Sequence, residues 1–471
     1  MPATDRLPSA PPFVVRARIV TPLAGGGTLD LPDGLIEVDA AGRIVSVGAV
    51  ADRPGGAPDG AIDLRPWVVL PGLVDLHAHL PQVPNAGLGY ALPLLDWLDR
   101  LTFPTERSWA DPAVAERLAP AIFRAFAAAG TTTVLAYGVV YEAAMDAAYR
   151  AAEAHGIRAI LGKVMMDRLT YDQTIEPATI LDRTLRESGD LARRWHGAAD
   201  GRLGYAVTPR FAVSCTADLL RESAALARDL GCWWQSHVSE DRAEIAEVGR
   251  LFPEARDYVD VYDRAGALGP RSILAHAIHL SATEQARLAD TGTRIAHCPT
   301  SNLFIGAGIM PLAERLAAGL SVGLGSDVSG GAELSLFGVM RTGAFAQQAL
   351  RATAAADDPG AARSSAARAT GAAAAHHPGP ATLGPLDWLR LGTLDGARAL
   401  GLDDRIGSIE SGKEADLITI DPAATAPLGA DLDEPGLLDD ASLLVSRLIF
   451  RTDPSMVRGA WVRGRRLEGP S

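Results

Sequence analysis

The residues best suited to chemistry are histidines and an aspartate that stand at the ends of predicted strands. His77 and His79 are two apart in LPGLVDLHAH, so both side chains point to the same side of a strand. His237, His276 and Asp327 end three further predicted strands. Three imidazoles from this set of four and one carboxylate, with room for a water molecule, suit a mononuclear catalytic zinc site. The alternative is a set of structural histidines in a barrel core, which is the commoner explanation for any one of them alone.

Glu240 follows His237 by three residues in QSHVSED. A carboxylate just past a ligand strand could move a proton between a water molecule and a substrate. The alternative is a capping residue at the start of the next helix. Asp327 could hold the nucleophilic water in addition to binding the metal. We therefore predict Glu240 and Asp327 as catalytic residues.

The number of metal ions can also be addressed from the residue that ends the fourth predicted strand. A two-metal barrel needs a bridging anion there, usually a modified lysine, and this chain has Arg210. A guanidinium stays protonated and cannot coordinate a metal. Lys163, in the third strand, is more typical of a packing or salt-bridge lysine. We predict one ion per chain, zinc or, since a His/Asp site accepts several divalent ions, Fe²⁺.

These side chains need a scaffold that brings strand ends together. Eight short apolar runs alternate with Ala- and Leu-rich stretches of helical length, and they predict a (β/α)8 barrel with its site at the carboxyl ends of the strands. The runs cover 70–79, 131–137, 159–166, 204–210, 232–237, 272–276, 293–299 and 321–327. Strand-like segments at both ends of the chain predict one small β-sandwich built from the two termini. The expected domains are 1–68 and 406–471 for the sandwich and 69–405 for the barrel, with an Ala-rich, partly disordered surface insertion at 352–384.

Composition limits the partners and the compartment. The chain has 471 residues, with 44 Lys and Arg against 57 Asp and Glu, and its net charge of −13 argues against a nucleic-acid partner. Three cysteines without a C-x-x-C spacing indicate a reducing compartment. No secretory signal and no apolar run of about 20 residues is visible, so we expect no membrane partner and a cytoplasmic location.

Several of these motifs resemble a known enzyme family. PGLVDLHAHLPQ, QSHVSED, ILAH, IAHCPTSNL and GLGSDVSGG resemble the mononuclear aminohydrolase branch of the amidohydrolase superfamily. More narrowly, ALPLLDWLDRLTFPTE, GKVMMDR, VTPRFAVSC and IGSIESGKEADLITIDP resemble the guanine deaminase family. The resemblance runs from about residue 13 to 465, apart from the insertion. The metal motifs are shared across the superfamily, whereas PLLDWL…TFPTE and VTPRF are far more specific.

The resemblance implies a function and roles for individual residues. It implies zinc held by His77, His79, His237 and Asp327, with Glu240 as the proton shuttle. It also implies that His276 is a further catalytic residue, which faces the bound water. It implies a small-molecule pocket formed by Gln82, Arg210, Phe211, His237 and Glu240, in which Gln82 and Arg210 hydrogen-bond the purine edge and Phe211 packs on the ring. The implied reaction is hydrolysis of guanine to xanthine and ammonia by a homodimer.

One position departs from the family pattern. Guanine deaminases usually continue the MDR stretch with an asparagine that reaches the base, and this chain has Leu169. Loss of a polar contact can change specificity by large factors. The alternative substrates are therefore 8-oxoguanine, a pterin such as isoxanthopterin, or an amino- or chloro-triazine. A catalytically inactive barrel that serves as a scaffold is the alternative from another class.

Overall fold

The computed structural model describes residues 7–172, 176–357, 382–425, 436 and 439–469. Most of the expected insertion, residues 358–381, lies outside the described residues, while residues 352–357 form the end of a helix. Among the described helices, none is long and apolar enough to cross a membrane.

The chain contains sixteen strands within its described residues. In chain order they are β1 (Phe13–Pro22), β2 (Thr28–Val38), β3 (Ile44–Ala49), β4 (Ile62–Pro71), β5 (Leu73–His79), β6 (Thr131–Tyr137), β7 (Arg158–Gly162), β8 (Val164–Met165), β9 (Leu203–Pro209), β10 (Trp233–Val238), β11 (Ser272–His276), β12 (Arg294–His297), β13 (Ser321–Leu324), β14 (Leu417–Ile420), β15 (Val457–Val462) and β16 (Arg465–Arg466).

The helices are numbered in the same way. They are α1 (Leu94–Trp97), α2 (Phe103–Arg107), α3 (Pro112–Ala128), α4 (Glu142–His155), α5 (Ile180–Trp195), α6 (Ala198–Gly201), α7 (Ala217–Leu230), α8 (Arg242–Leu251), α9 (Tyr258–Arg264), α10 (Ala282–Thr291), α11 (Pro299–Phe304), α12 (Leu312–Ala317), α13 (Leu336–Asp357), α14 (Pro385–Leu391), α15 (Leu394–Ala399) and α16 (Ala441–Phe450). A π-helix, Leu98–Thr102, joins α1 to α2.

Eight parallel strands form a nearly closed barrel, which confirms the predicted fold. Their order is β5-β6-β7-β9-β10-β11-β12-β13, with β8 paired beside β9. Both faces of these strands are covered, so successive residues are buried rather than alternately buried and exposed, as the segment Thr131–Tyr137 illustrates. The first and last strands approach each other just beyond their paired segments. There the Asp327 amide donates to the His77 carbonyl at 2.7 Å and the His79 amide donates to the Val328 carbonyl at 3.0 Å.

The two ends of the chain share a second, seven-stranded sheet of order β16-β15-β14-β4-β1-β2-β3. Most of its pairs are antiparallel, and β14 pairs with β4, which joins the carboxyl-terminal strands to the amino-terminal ones. The strand-like segments at both termini therefore belong to one structure. The boundaries at residues 68 and 405 stay a prediction.

A buried ion-pair network connects the barrel with this terminal sheet. Arg158 on β7 donates to Glu414 at 2.6 Å and to Asp416 at 3.0 Å. The Arg158 side chain is 1% exposed, and both carboxylates are almost as buried. Arg405 and Arg463 also pair with Glu414. Each buried charge therefore has a partner of opposite sign, which is the condition under which burial of an ion is tolerated.

Candidate active site

Five side chains from four strand ends meet at the mouth of the barrel. His77 and His79 come from β5, His237 from β10 and His276 from β11, and Asp327 follows β13. The Asp327 Oδ1 atom lies 3.1 Å from His77 Nε2 and 3.4 Å from His79 Nε2. The Nε2 atoms of His79 and His237 are 3.2 Å apart. The structure thus brings together the four residues predicted to bind a metal, with His276 beside them.

The hydrogen bonds of these histidines show that the donor set fits a cation. His237 Nδ1 lies 2.6 Å from the Arg210 carbonyl oxygen. A carbonyl only accepts, so Nδ1 carries the proton and Nε2 of the neutral ring presents a lone pair. The Nε2 atoms of His77 and His276 are buried without a hydrogen-bond partner in the described structure. His77, His79 and Asp327 offer ligand atoms within 4.8 Å of one another, and so do His77, His237 and His276.

Burial sets the protonation of the ligand residues in the direction that metal binding requires. Desolvation lowers the pKa of His79 and of His237, which favours neutral rings with free lone pairs. For Asp327, desolvation opposes ionisation, but the neighbouring imidazoles of His77, His276 and His79 outweigh that effect and the pKa falls. Neutral imidazoles beside an ionised carboxylate are the form that binds a divalent cation.

Glu240 lies at the edge of the same cluster. Its Oε2 atom is 3.5 Å from His276 Nε2, and the residue is 4% exposed. Desolvation, followed by the charge of Asp327, raises the pKa of this carboxyl well above its ordinary value. The following residue, Asp241, is the N-cap of α8 and forms a capping box with Glu244. The alternative function of Glu240 as the cap is therefore taken by its neighbour, and Glu240 is available for proton transfer.

A second hydrogen bond fixes the ring of His276. Its Nδ1 atom lies 2.9 Å from Asn302 Oδ1, in α11. With the Asn302 amide in this orientation its oxygen accepts, so Nδ1 carries the proton and the Nε2 lone pair faces Glu240 and Asp327. Desolvation lowers the pKa of His276 to about 4, so the ring is neutral at physiological pH. Asn302 was not a candidate in the sequence, although it lies in the motif IAHCPTSNL.

A narrow cavity opens onto the cluster and has one polar and one apolar side. Its polar lining includes Gln82, Arg210, Glu240, His237 and Asp327, and its apolar lining consists of Leu94, Trp97, Leu98, Phe211 and Ile305. Leu94, Trp97 and Leu98 come from α1 and the π-helix, which close the cavity from above the barrel. A flat, partly polar ring matches such a lining. All residues predicted to contact substrate line this cavity.

The amidohydrolase family matches residues 68–467 of this chain. The chain belongs to the amidohydrolase family. Its membership makes it a hydrolase, as the sequence predicts.

Several similar proteins are named guanine deaminases. A probable guanine deaminase of Deinococcus radiodurans is 39% identical over 406 residues, which cover 85% of each chain. The guanine deaminase of Escherichia coli is 35% identical over 77% of this chain and 75% of its own. The crystal structure of guanine deaminase from C. acetobutylicum with guanine bound in its active site superimposes with a TM-score of 0.83 at 26% identity, covering 97% of this chain and 99% of that one.

A solved structure of this group also contains a metal ion. An adenosine deaminase from Xanthomonas campestris with bound zinc has a TM-score of 0.75 at 26% identity, over 98% of this chain and 93% of its own. Together with the His/Asp donor set, membership of the amidohydrolase family supports a divalent metal at this site. Lys163, the alternative bridging residue, instead donates to Thr184 at 2.9 Å and pairs with Glu187 at 3.3 Å. The prediction of a packing and salt-bridge lysine fits these contacts.

The positions of Leu169 and Glu106 in this amidohydrolase were not predictable from the sequence. Leu169, the departure from the guanine deaminase pattern, is 65% exposed, has a φ of 47° and lies outside the set of residues that line the cavity. Glu106, by contrast, is the last residue of the motif TFPTE and is fully buried beside the cavity. It accepts from Gln82 Nε2 at 2.7 Å and from Arg210 Nη1 at 2.6 Å. The only sequence feature that pointed to Glu106 was its place as the charged residue that ends TFPTE.

Proposed function

We propose that this amidohydrolase is a zinc-dependent guanine deaminase that converts guanine and water into xanthine and ammonia. The observation that carries the proposal is the arrangement of one cavity. Its inner end is formed by His79, His237, His276, Glu240 and Asp327, and Gln82 and Arg210 line the same space. A purine held by Gln82 and Arg210 would direct another edge of its ring toward the histidines. The names of the similar proteins support guanine as that purine.

The metal would be held by His77, His79, His237 and Asp327, with one ion per chain. The chemistry that a divalent ion supplies there is Lewis-acid activation of water for attack on a ring carbon. Zinc is the proposed ion because imidazole and carboxylate ligands suit it, and Fe²⁺ is the alternative. Arg210 stands where a two-metal barrel needs an anionic bridge, which supports a single ion.

Glu240 would carry the proton. As a carboxylate it accepts a proton from the attacking water, and as a carboxylic acid it delivers that proton to ring atom N3 beside the attacked C2. A second proton transfer, from the new C2 hydroxyl to the exocyclic amine, lets the C2–N bond break as the C2=O bond forms, which releases ammonia and leaves xanthine. Burial and the charge of Asp327 raise the pKa of Glu240, which brings its two protonation states closer in free energy near neutral pH. Neutral His276 orients the water through its Nε2 lone pair, because Asn302 occupies its Nδ1 proton.

The remaining lining residues would hold the base. Arg210 and Gln82 offer hydrogen bonds to a purine edge, and Phe211 offers an apolar face to the ring. The exposed position of Leu169 supports the interpretation that its departure from the family pattern is tolerated. The homodimer and the cytoplasmic location are further parts of the proposal, and the three cysteines, all free and buried, agree with a reducing compartment.

The test is formation of xanthine and ammonia from guanine by the purified, zinc-loaded enzyme. 8-Oxoguanine, isoxanthopterin and an amino-triazine form the comparison panel. Glu240→Gln should reduce kcat roughly 10²- to 10⁴-fold while the bound zinc is retained. Glu187→Gln is the matched control, since Glu187 is a buried glutamate paired with Lys163 and does not line the cavity. Faster turnover of a panel compound than of guanine would overturn the substrate, and full activity of Glu240→Gln would overturn the proton shuttle.

A further inference from the structure

We propose that Glu106 is a positioning residue that makes the cavity selective for a ring lactam, an N–H beside a C=O. The inference rests on the proposed function because it takes this cavity as the purine site. It goes further by identifying which hydrogen-bonding edge the site accepts and which buried side chain sets that preference.

The first step concerns the orientation of Gln82. An amide can be turned either way unless its partner decides between its oxygen and its nitrogen. Glu106 fixes the orientation of this amide, because carboxylate oxygens accept and do not donate. Its Oε1 atom lies 2.7 Å from Nε2 of Gln82. The amide nitrogen must therefore face Glu106. The carbonyl oxygen, Oε1 of Gln82, is the acceptor left for a ligand in the cavity that this residue lines.

The second step concerns Arg210. The other oxygen of Glu106 accepts from Arg210 Nη1 at 2.6 Å. The Arg210 guanidinium also lies over the ring of Phe103, with its central carbon 5.3 Å from the ring centroid. Two contacts from α2 thus hold the guanidinium in place. A guanidinium has five N–H donors, so others remain for a ligand.

One carboxylate thereby fixes both partners and leaves an acceptor and a donor in the same cavity. The complementary ligand edge is an N–H donor beside a carbonyl acceptor, which is the N1–H and C6=O edge of a 6-oxopurine. A 6-aminopurine has the opposite pattern, with a bare N1 and an amino group. Gln82 cannot turn to suit it without placing its oxygen against a carboxylate of Glu106. The unmatched ligand leaves buried polar groups unpaired on both sides, which lowers affinity strongly.

Hypoxanthine and adenine test this because they differ only at that edge and neither has an amine at C2. Calorimetry on the zinc-loaded enzyme measures both dissociation constants without need of turnover. We expect the wild type to bind hypoxanthine at least about 100-fold more tightly than adenine. In Glu106→Gln the amide oxygen must keep accepting from Arg210, so the new NH2 group faces Gln82. Gln82 can then turn its own NH2 group toward the ligand, and the preference should fall at least about tenfold. Glu187→Gln should leave it unchanged.

An unchanged preference in a folded, zinc-containing Glu106→Gln protein would overturn the inference, and so would a wild type that binds adenine as well as hypoxanthine. Should Glu106→Gln not fold, Gln82→Leu takes its place. It removes the acceptor but keeps the Glu106–Arg210 pair, and it should weaken hypoxanthine binding while leaving adenine binding nearly unchanged. Failure of the proposed function has a different signature. In that case hypoxanthine is preferred in the expected way, but guanine yields no xanthine.

Discussion

Replacing Asn302 by leucine tests how the tautomer of His276 supports catalysis. Asn302 is 1% exposed, and its Oδ1 atom lies 2.9 Å from His276 Nδ1. Loss of a buried acceptor leaves an N–H unpaired at a cost of about 1–3 kcal/mol. In the wild type this hydrogen bond holds the His276 proton on Nδ1. In the leucine variant the bond is absent, and the ring can carry the proton on Nε2. That tautomer presents a donor toward Glu240 in place of the lone pair. Substitution of a residue that orients a metal-site histidine typically lowers activity or metal affinity about 10- to 100-fold.

The assay is kcat/KM for guanine, measured together with bound zinc and the free energy of unfolding. We expect a loss of about 10- to 100-fold in kcat/KM for Asn302→Leu. The unfolding free energy should change little, because the Asn302 Nδ2 group is buried without a hydrogen-bond partner in the described structure and its removal offsets part of the loss. Asn302→Asp keeps an acceptor at the same place and should retain more activity than the leucine variant. Equal activity of wild type and Asn302→Leu would refute the tautomer argument.

Three further predictions concern stability. Leu169→Asn should stabilise the protein by about 0.5–1 kcal/mol in chemical unfolding, because asparagine tolerates the left-handed φ of 47° better than leucine; a lower stability would contradict this. Arg158→Met should destabilise the fold by about 3–5 kcal/mol, since it leaves Glu414 and Asp416 buried with less positive charge; the double variant with Asp416→Asn should recover part of the loss. Removal of the metal by a chelator should lower Tm, and zinc at about 1,000 times its Kd should restore about 4 kcal/mol of unfolding free energy. An unchanged Tm would contradict metal binding by His77, His79, His237 and Asp327.

The barrel was predictable because its signals are local. Each strand is a short, largely apolar run, and a polar residue such as His237 or His276 lies at the end of several of them, so that composition and the spacing between runs sufficed. His77 and His79 were recognisable as a pair because a spacing of two gives one face of a strand. The role of Glu240 was less clear, because HVSED has two acids at a helix start. The choice between them depends on which side chain reaches the amides of α8, and Asp241 does so.

The residues that the sequence did not reveal act over long separations. Glu106 is 24 positions from Gln82 and 104 from Arg210. It lies in a short helix after a π-helical turn, and no periodicity indicates that this segment folds over the barrel mouth. Asn302 is 26 positions from His276 and lies in a helix of six residues. Both are recognised only when the barrel has brought different strand ends together, because their partners are side chains and not features of their own elements.

Arg210 contributes to both the metal cluster and the purine pocket, with its backbone carbonyl in one and its side chain in the other. The Arg210 carbonyl oxygen accepts from His237 Nδ1, whereas the Arg210 guanidinium pairs with Glu106 and faces the cavity. A backbone carbonyl is present whatever the side chain at this position, so the histidine tautomer that the metal needs does not depend on arginine. Selectivity does depend on it, through Glu106 and Gln82. This separation gives a physical reason for the expectation that the metal motifs are shared across the superfamily while TFPTE and VTPRF are more specific. The barrel can keep its hydrolytic chemistry while a few side chains above it change the ring that it accepts.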